Sequence, residues 1–166
     1  MHLPPVLEMR GEYDRALAIL LEMAKNSPED GFINYELYRT YVASGKPKEA
    51  VDELEKALRK FGMGDIAAAV QGSYAKSGYR AAMRALAKSY EDLQGKNLLF
   101  VPENLAAAYT AAGDTDRAFY WLNQAYEHRE MVSHDFGLTV LKVDPLLAPL
   151  RSDPRYQDLL RRIGLQ

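Results

Sequence analysis

Small and large apolar residues recur along this chain at helical spacing: Ala16, Leu20 and Met23, then Ala50, Leu54 and Ala57, then Ala118, Leu122 and Ala125. Steps of four and three residues keep each trio on one side of a helix, so three amphipathic helices with the same apolar face are predicted. Each trio begins five residues after a glycine: Gly11, Gly45 and Gly113. Gly78 completes a series whose intervals are 34, 33 and 35 residues. Three of these glycines follow an aromatic residue by four positions, at Tyr41, Tyr74 and Tyr109. A recurrence of that length marks paired helices repeated along the chain.

Extended over the intervening residues, the pattern predicts helix pairs near Gly31 to Phe61, Asp65 to Leu93 and Val101 to Glu130, preceded by a lone helix from Gly11 to Asn26. The partner of that lone helix would lie upstream, where Pro4 and Pro5 stand and where a helix interior does not tolerate them. The copy at Gly78 is short by one residue. Ala82 follows the glycine by four positions and Met83 takes the nominal alanine place, so a single deletion in the turn would return Leu86 to register. The stretch from Gly95 to Pro102 predicts a longer junction between repeats.

These residues and spacings resemble the tetratricopeptide-repeat (TPR) family, whose unit has a Tyr before the turn, a Gly in it, and an Ala and an apolar residue after it. Pro28 sits where the family's closing proline belongs. The resemblance implies an all-α fold, a right-handed solenoid of antiparallel helix pairs. Glycine opens each tight turn, alanines let helices approach, and neighbouring pairs supply one another's core. The array is expected over residues 1–130, with about three and a half units, and a capping segment over 131–166 in the same folding unit. In that segment Asp144-Pro145 and Asp153-Pro154 each place a carboxylate before a proline at the first helical position. A short helical turn from Pro145 to Leu150 and a helix from Pro154 to Ile163 are predicted. On the latter, Tyr156, Leu159, Leu160 and Ile163 share one face, with Arg155, Asp158, Arg161 and Arg162 toward solvent. The stretch from Val101 to Leu165 further resembles the C-terminal end of TPR regions in large bacterial regulators that carry a winged-helix, Ser/Thr kinase or TolB-like domain. This implies a piece of a longer signalling protein.

Composition narrows the function. The formal charge of -2, from 21 Lys and Arg against 23 Asp and Glu, offers no strong field to a polyanion, so nucleic acid is not expected as a partner. With no cysteine there is no disulfide, thiolate nucleophile or cysteine-based zinc site. No apolar run approaches the roughly 20 residues that span a bilayer. Membrane insertion is therefore not expected, and a cytoplasmic location is.

Candidate chemistry is sparse. Ser73-Tyr74-Ala75-Lys76 has the Ser-x-x-Lys form of penicillin-recognising enzymes, but Tyr74 is the repeat tyrosine and no companion motif is present. His128, His134 and Asp135 are the nearest approach to a metal set. The six-residue separation puts the histidines on different helical faces, and they are read as exposed loop residues. Gly62-Met63-Gly64 lacks the later glycine of a phosphate loop. No nucleophile, base and orienting group cluster, so neither an enzyme nor a cofactor or metal is expected.

The TPR resemblance points instead to the concave face built by the first helix of each pair. Phe32, Tyr35, Arg39 and Val42 should line it in one repeat, Ala68, Gly72 and Lys76 in the next, and Phe100, Glu103, Ala107 and Thr110 in the last. Such a face would hold a protein or peptide partner. The carboxylate clamp of chaperone-binding TPR domains would need Lys and Asn where Tyr35, Glu36 and Ala69 stand, so capture of an acidic chain terminus is not expected. An alternative of a different class is homodimerisation through the apolar face of the unpaired helix, with Leu17, Leu20, Leu21 and Ala24 docking on a second copy.

Overall fold

A computed structural model of the chain describes Pro4, Leu7, Glu8 and residues 10–93, 102–127 and 141–165. Among the described residues there is no strand, and the helices pack in successive pairs. They are α1 (Tyr13–Asn26), α2 (Gly31–Ala43), α3 (Pro47–Lys60), α4 (Gly64–Ser77), α5 (Tyr79–Asp92), α6 (Pro102–Ala112), α7 (Thr115–Glu127), a 3-10 turn (Pro145–Leu150) and α8 (Pro154–Arg162). No described helix is long and apolar enough to cross a membrane. The chain divides into two compact units, Met1–Ala82 and Met83–Gln166.

The repeating glycines have one local cause. Gly11, Gly45, Gly78 and Gly113 all have positive φ, between 72° and 80°, where a side chain is disfavoured. After α2, the Gly45 N–H donates to the Val42 carbonyl at 3.1 Å and the Lys46 N–H to the Tyr41 carbonyl at 2.9 Å. The same double closure joins Gly113 to Thr110 (3.0 Å) and Asp114 to Tyr109 (2.9 Å). This Schellman arrangement satisfies carbonyls that the end of a helix leaves bare. Gly78 differs. Its N–H reaches the Tyr74 carbonyl at 2.8 Å in a single closure, with φ 79° and ψ -170°, and α5 begins at the very next residue. The deletion expected in this turn is therefore present, and Ala82 takes the alanine place. Its N–H bonds four residues back to Gly78, as Ala50 does to Lys46 and Ala118 to Asp114, and all three alanines are fully buried.

In the first unit α1 packs on α2, α2 on α3 and α3 on α4. Leu17 and Leu20 of α1 form a cluster with Ile33 and Leu37, against which Ala24 and Tyr41 rest. α3 turns Ala50, Val51, Leu54, Ala57 and Leu58 inward. Two buried polar residues join α2 to α3: the Asn34 amide donates to Glu53 at 2.6 Å, and Lys56 and Lys60 supply charge to Glu53 and Asn34, each at 2.6 Å. Burial is tolerable here because each polar group has its partner.

Upstream, Pro4, Leu7 and Glu8 are helical, and Pro4 and Leu7 are buried. This corrects the expectation of a lone helix preceded by non-helical chain, since the Gly11 and Glu12 N–H groups close back on Glu8 and Leu7 as at the other turns. The proposed docking face of α1 is also largely taken up by α2. Of the four residues named for it, Leu21 at 42% stands out in solvent, and Met23 on the same helix is 43% exposed.

In the second unit α6 packs on α7 and on the 3-10 turn, and α8 docks on α7. Asp144 and Asp153 cap their helices as the sequence indicates, accepting from the Leu146 and Arg155 N–H groups, each at 2.9 Å. Tyr156, Leu159 and Leu160 are buried, and the Tyr156 hydroxyl donates to the Leu141 carbonyl. Two arginines expected merely to face solvent do more. Arg155 lies 4.3 Å over the Phe119 ring and bonds to Asp116 at 2.8 Å. Arg162 lies 4.2 Å over the Tyr126 ring and donates to Asn123 at 2.8 Å. Cation–π stacking of this kind lets a charged residue serve as packing.

Candidate functional site

The best-formed candidate surface lies on α2. Asp30 caps the helix by accepting from the Phe32 N–H at 2.9 Å, which starts α2 in a defined orientation. Gly31 follows, and a Cβ there would come within 2.7 Å of the Phe61 ring. That glycine is needed for the close approach of α3's end to α2's beginning. Phe61 thereby reaches Phe32, and the two rings meet edge to face with centroids 5.0 Å apart. Phe32 is 63% exposed, a large apolar ring held in place yet open to solvent.

Tyr35, Arg39 and Val42 follow Phe32 at helical spacing on one side of α2 and are half-buried. The Tyr35 and Tyr38 rings are 5.6 Å apart, and Arg39 approaches the Glu36 carboxylate at 4.0 Å. The structure thus gathers four predicted residues on one helix. On α4, Ala68, Gly72 and Lys76 are all exposed. Phe61 escaped the sequence reading. The signal that marks it is Gly62, another positive-φ glycine, falling about halfway between Gly45 and Gly78 and ending α3 by the same double closure.

The residues expected from the last repeat do not form an open lining. Phe100 lies outside the described residues. Thr110 is only 6% exposed and its hydroxyl donates to the Ala106 carbonyl at 2.7 Å. Ala107 is buried as well, because α6 is enclosed over most of its surface. Glu103 is half-buried, with both carboxylate oxygens inside and, among the described residues, no hydrogen-bonding partner on another residue. Burial raises its pKa, an effect its own backbone N–H only partly offsets. A carboxyl with a raised folded-state pKa loses its contribution to stability as pH rises through that value. Glu103→Gln is therefore expected to stabilise the fold by about 1 kcal/mol at pH 7 and to be neutral in acid. Denaturant titrations of parent and variant at the two pH values check this, and a loss at neutral pH would refute it.

Ser73 and Lys76 are one turn apart on α4, with Ser73 half-buried and Lys76 exposed. His128, His134 and Asp135 lie outside the described residues, among which no group of three His, Cys, Asp or Glu side chains is placed to hold a metal ion. Tyr41 and Tyr74 are half-buried and Tyr109 is buried, its hydroxyl 2.6 Å from Arg117. The repeat tyrosines are thus at least partly withdrawn from solvent. No family model, no curated protein and no solved structure matches this chain.

Proposed function

We propose that this chain is a TPR-type interaction module, a right-handed array of helix pairs that holds a protein or peptide segment and performs no chemistry of its own. The observation that carries the reading is the face of α2. There an exposed phenylalanine, immobilised on Phe61, is followed along the helix by Tyr35, Arg39 and Val42. Aromatic and arginine side chains on a rigid element make effective anchors, because little side-chain freedom remains to be lost on binding. The recurrent turn glycines and buried alanines support the family assignment. The likeness of residues 101–165 to the TPR regions of bacterial regulators extends the proposal to a role within a signalling protein.

Self-association through α1 has less support, since α2 already covers Leu17 and Leu20. Phe32→Ala, Tyr35→Ala and Arg39→Ala should each reduce recovery of a partner captured by the parent, by about tenfold for an anchor residue, with helicity and melting temperature retained. Quantitative pull-down with purified variants measures this. Undiminished recovery with all three would remove α2 as the binding surface.

A further inference from the structure

We propose that the outward side of α5 is a second docking surface, which takes an acidic helix of another protein through Arg80, Arg84 and Lys88. These residues stand four apart, which a helix converts to steps of about 6 Å along one side. All three are exposed, and among the described residues none makes an ion pair or a hydrogen bond. Several cations on other helices are paired, whereas Lys25 on α1 and Lys76 on α4 stand singly. Lys48 pairs with Asp52 at 2.9 Å, Arg59 with Glu55 at 2.8 Å and Arg155 with Asp116 at 2.8 Å. Like charges four residues apart on a helix repel one another, and Asp92, four residues after Lys88, offsets this at one end of the row only, so carboxylates arriving from outside would relieve the rest.

The neighbouring row fits a helix in particular. Ala81, Ala85 and Ser89, each one residue after a cation, are small and half-buried. They leave room for a second helix to approach to the roughly 8–10 Å at which helices pack. Ala82, Met83, Leu86, Ala87 and Tyr90 on the other side are buried, so α5 is anchored inward while the cation row is exposed among the described residues. Three cations are few for nucleic acid, whose binding draws on about 6–10 phosphate contacts, and the face lacks the large apolar residues that hold a helix in a bilayer surface. A partner helix with carboxylates at every fourth residue matches the charge and the spacing together.

A fluorescein-labelled helical peptide with glutamates at every fourth residue, followed by anisotropy at low and physiological salt, tests this. A control peptide has the same composition with its glutamates clustered at one end. The parent is expected to bind the spaced peptide about tenfold more tightly than the clustered one, as three exposed ion pairs allow. The triple variant Arg80→Gln, Arg84→Gln, Lys88→Gln keeps helix propensity and should lose that preference. Arg10→Gln, Lys25→Gln and Lys142→Gln together, the same charge change elsewhere, should retain it. Equal binding of the two peptides, or an undiminished preference in the α5 variant, would overturn the proposal. So would a stronger α5-dependent affinity for duplex DNA or phosphatidylserine vesicles than for the spaced peptide.

Discussion

Leu54→Ala is expected to lower the unfolding free energy by about 2–5 kcal/mol, the range for truncating a large aliphatic side chain in a closed core. Leu54 is fully buried on α3, and α3 is packed by α2 on one side and α4 on the other. Its neighbours on the inward face, Ala50, Val51, Ala57 and Leu58, are at most 1% exposed. Both backbones flanking the vacated space belong to helices anchored elsewhere, so the site collapses poorly and most of the cavity remains. Urea denaturation followed by circular dichroism measures the change. A loss below about 1 kcal/mol would mean that α2 and α4 close over the cavity, contrary to the tight packing described. Phe32 lies on α2 and its Phe61 support directly follows α3, so partner binding at α2 should weaken in parallel once a fraction of molecules is unfolded.

The second large effect is a contrast between two glycines. Gly78→Ala is expected to cost about 1–3 kcal/mol, because φ 79° with ψ -170° lies in a region that essentially only glycine occupies. Gly45→Ala should cost about 1 kcal/mol, since the left-handed conformation that ends α2 disfavours a side chain less severely. At neither position would an added Cβ meet another atom within 4 Å. Packing therefore does not enter, and the difference reads backbone conformation alone. Thermal and urea denaturation of the two variants side by side would show the ordering. Equal costs would contradict the distinct turn that the one-residue deletion produces at Gly78.

Several features of this fold are legible in the amino-acid order because their causes are local. Glycine is needed wherever a helix ends in a left-handed residue, so Gly11, Gly45, Gly78 and Gly113 mark the turns. Asp-Pro pairs cap helices with their own side chains, so Asp144 and Asp153 mark starts. The missing residue after Gly78 can be counted, and the structure places Ala82 and Leu86 as the count requires. The face of α2 is legible too, since helical spacing alone sets Phe32, Tyr35, Arg39 and Val42 together.

What distant residues impose could not be read this way. Thr110 and Ala107 have the spacing of an open lining, yet they belong to a helix packed by α7 and by the 3-10 turn, and Thr110 satisfies its hydroxyl internally. Glu103 has the composition of a surface residue, and only the fold withdraws its carboxylate from water. Phe61 becomes the support of Phe32 because Gly31 admits its ring, and Arg155 and Arg162 become packing residues because α8 meets the aromatic side of α7. Pro4, Leu7 and Glu8, upstream of Gly11, are helical despite the proline. Local backbone chemistry is written in neighbouring residues, whereas exposure is decided by whatever the chain brings back from far away.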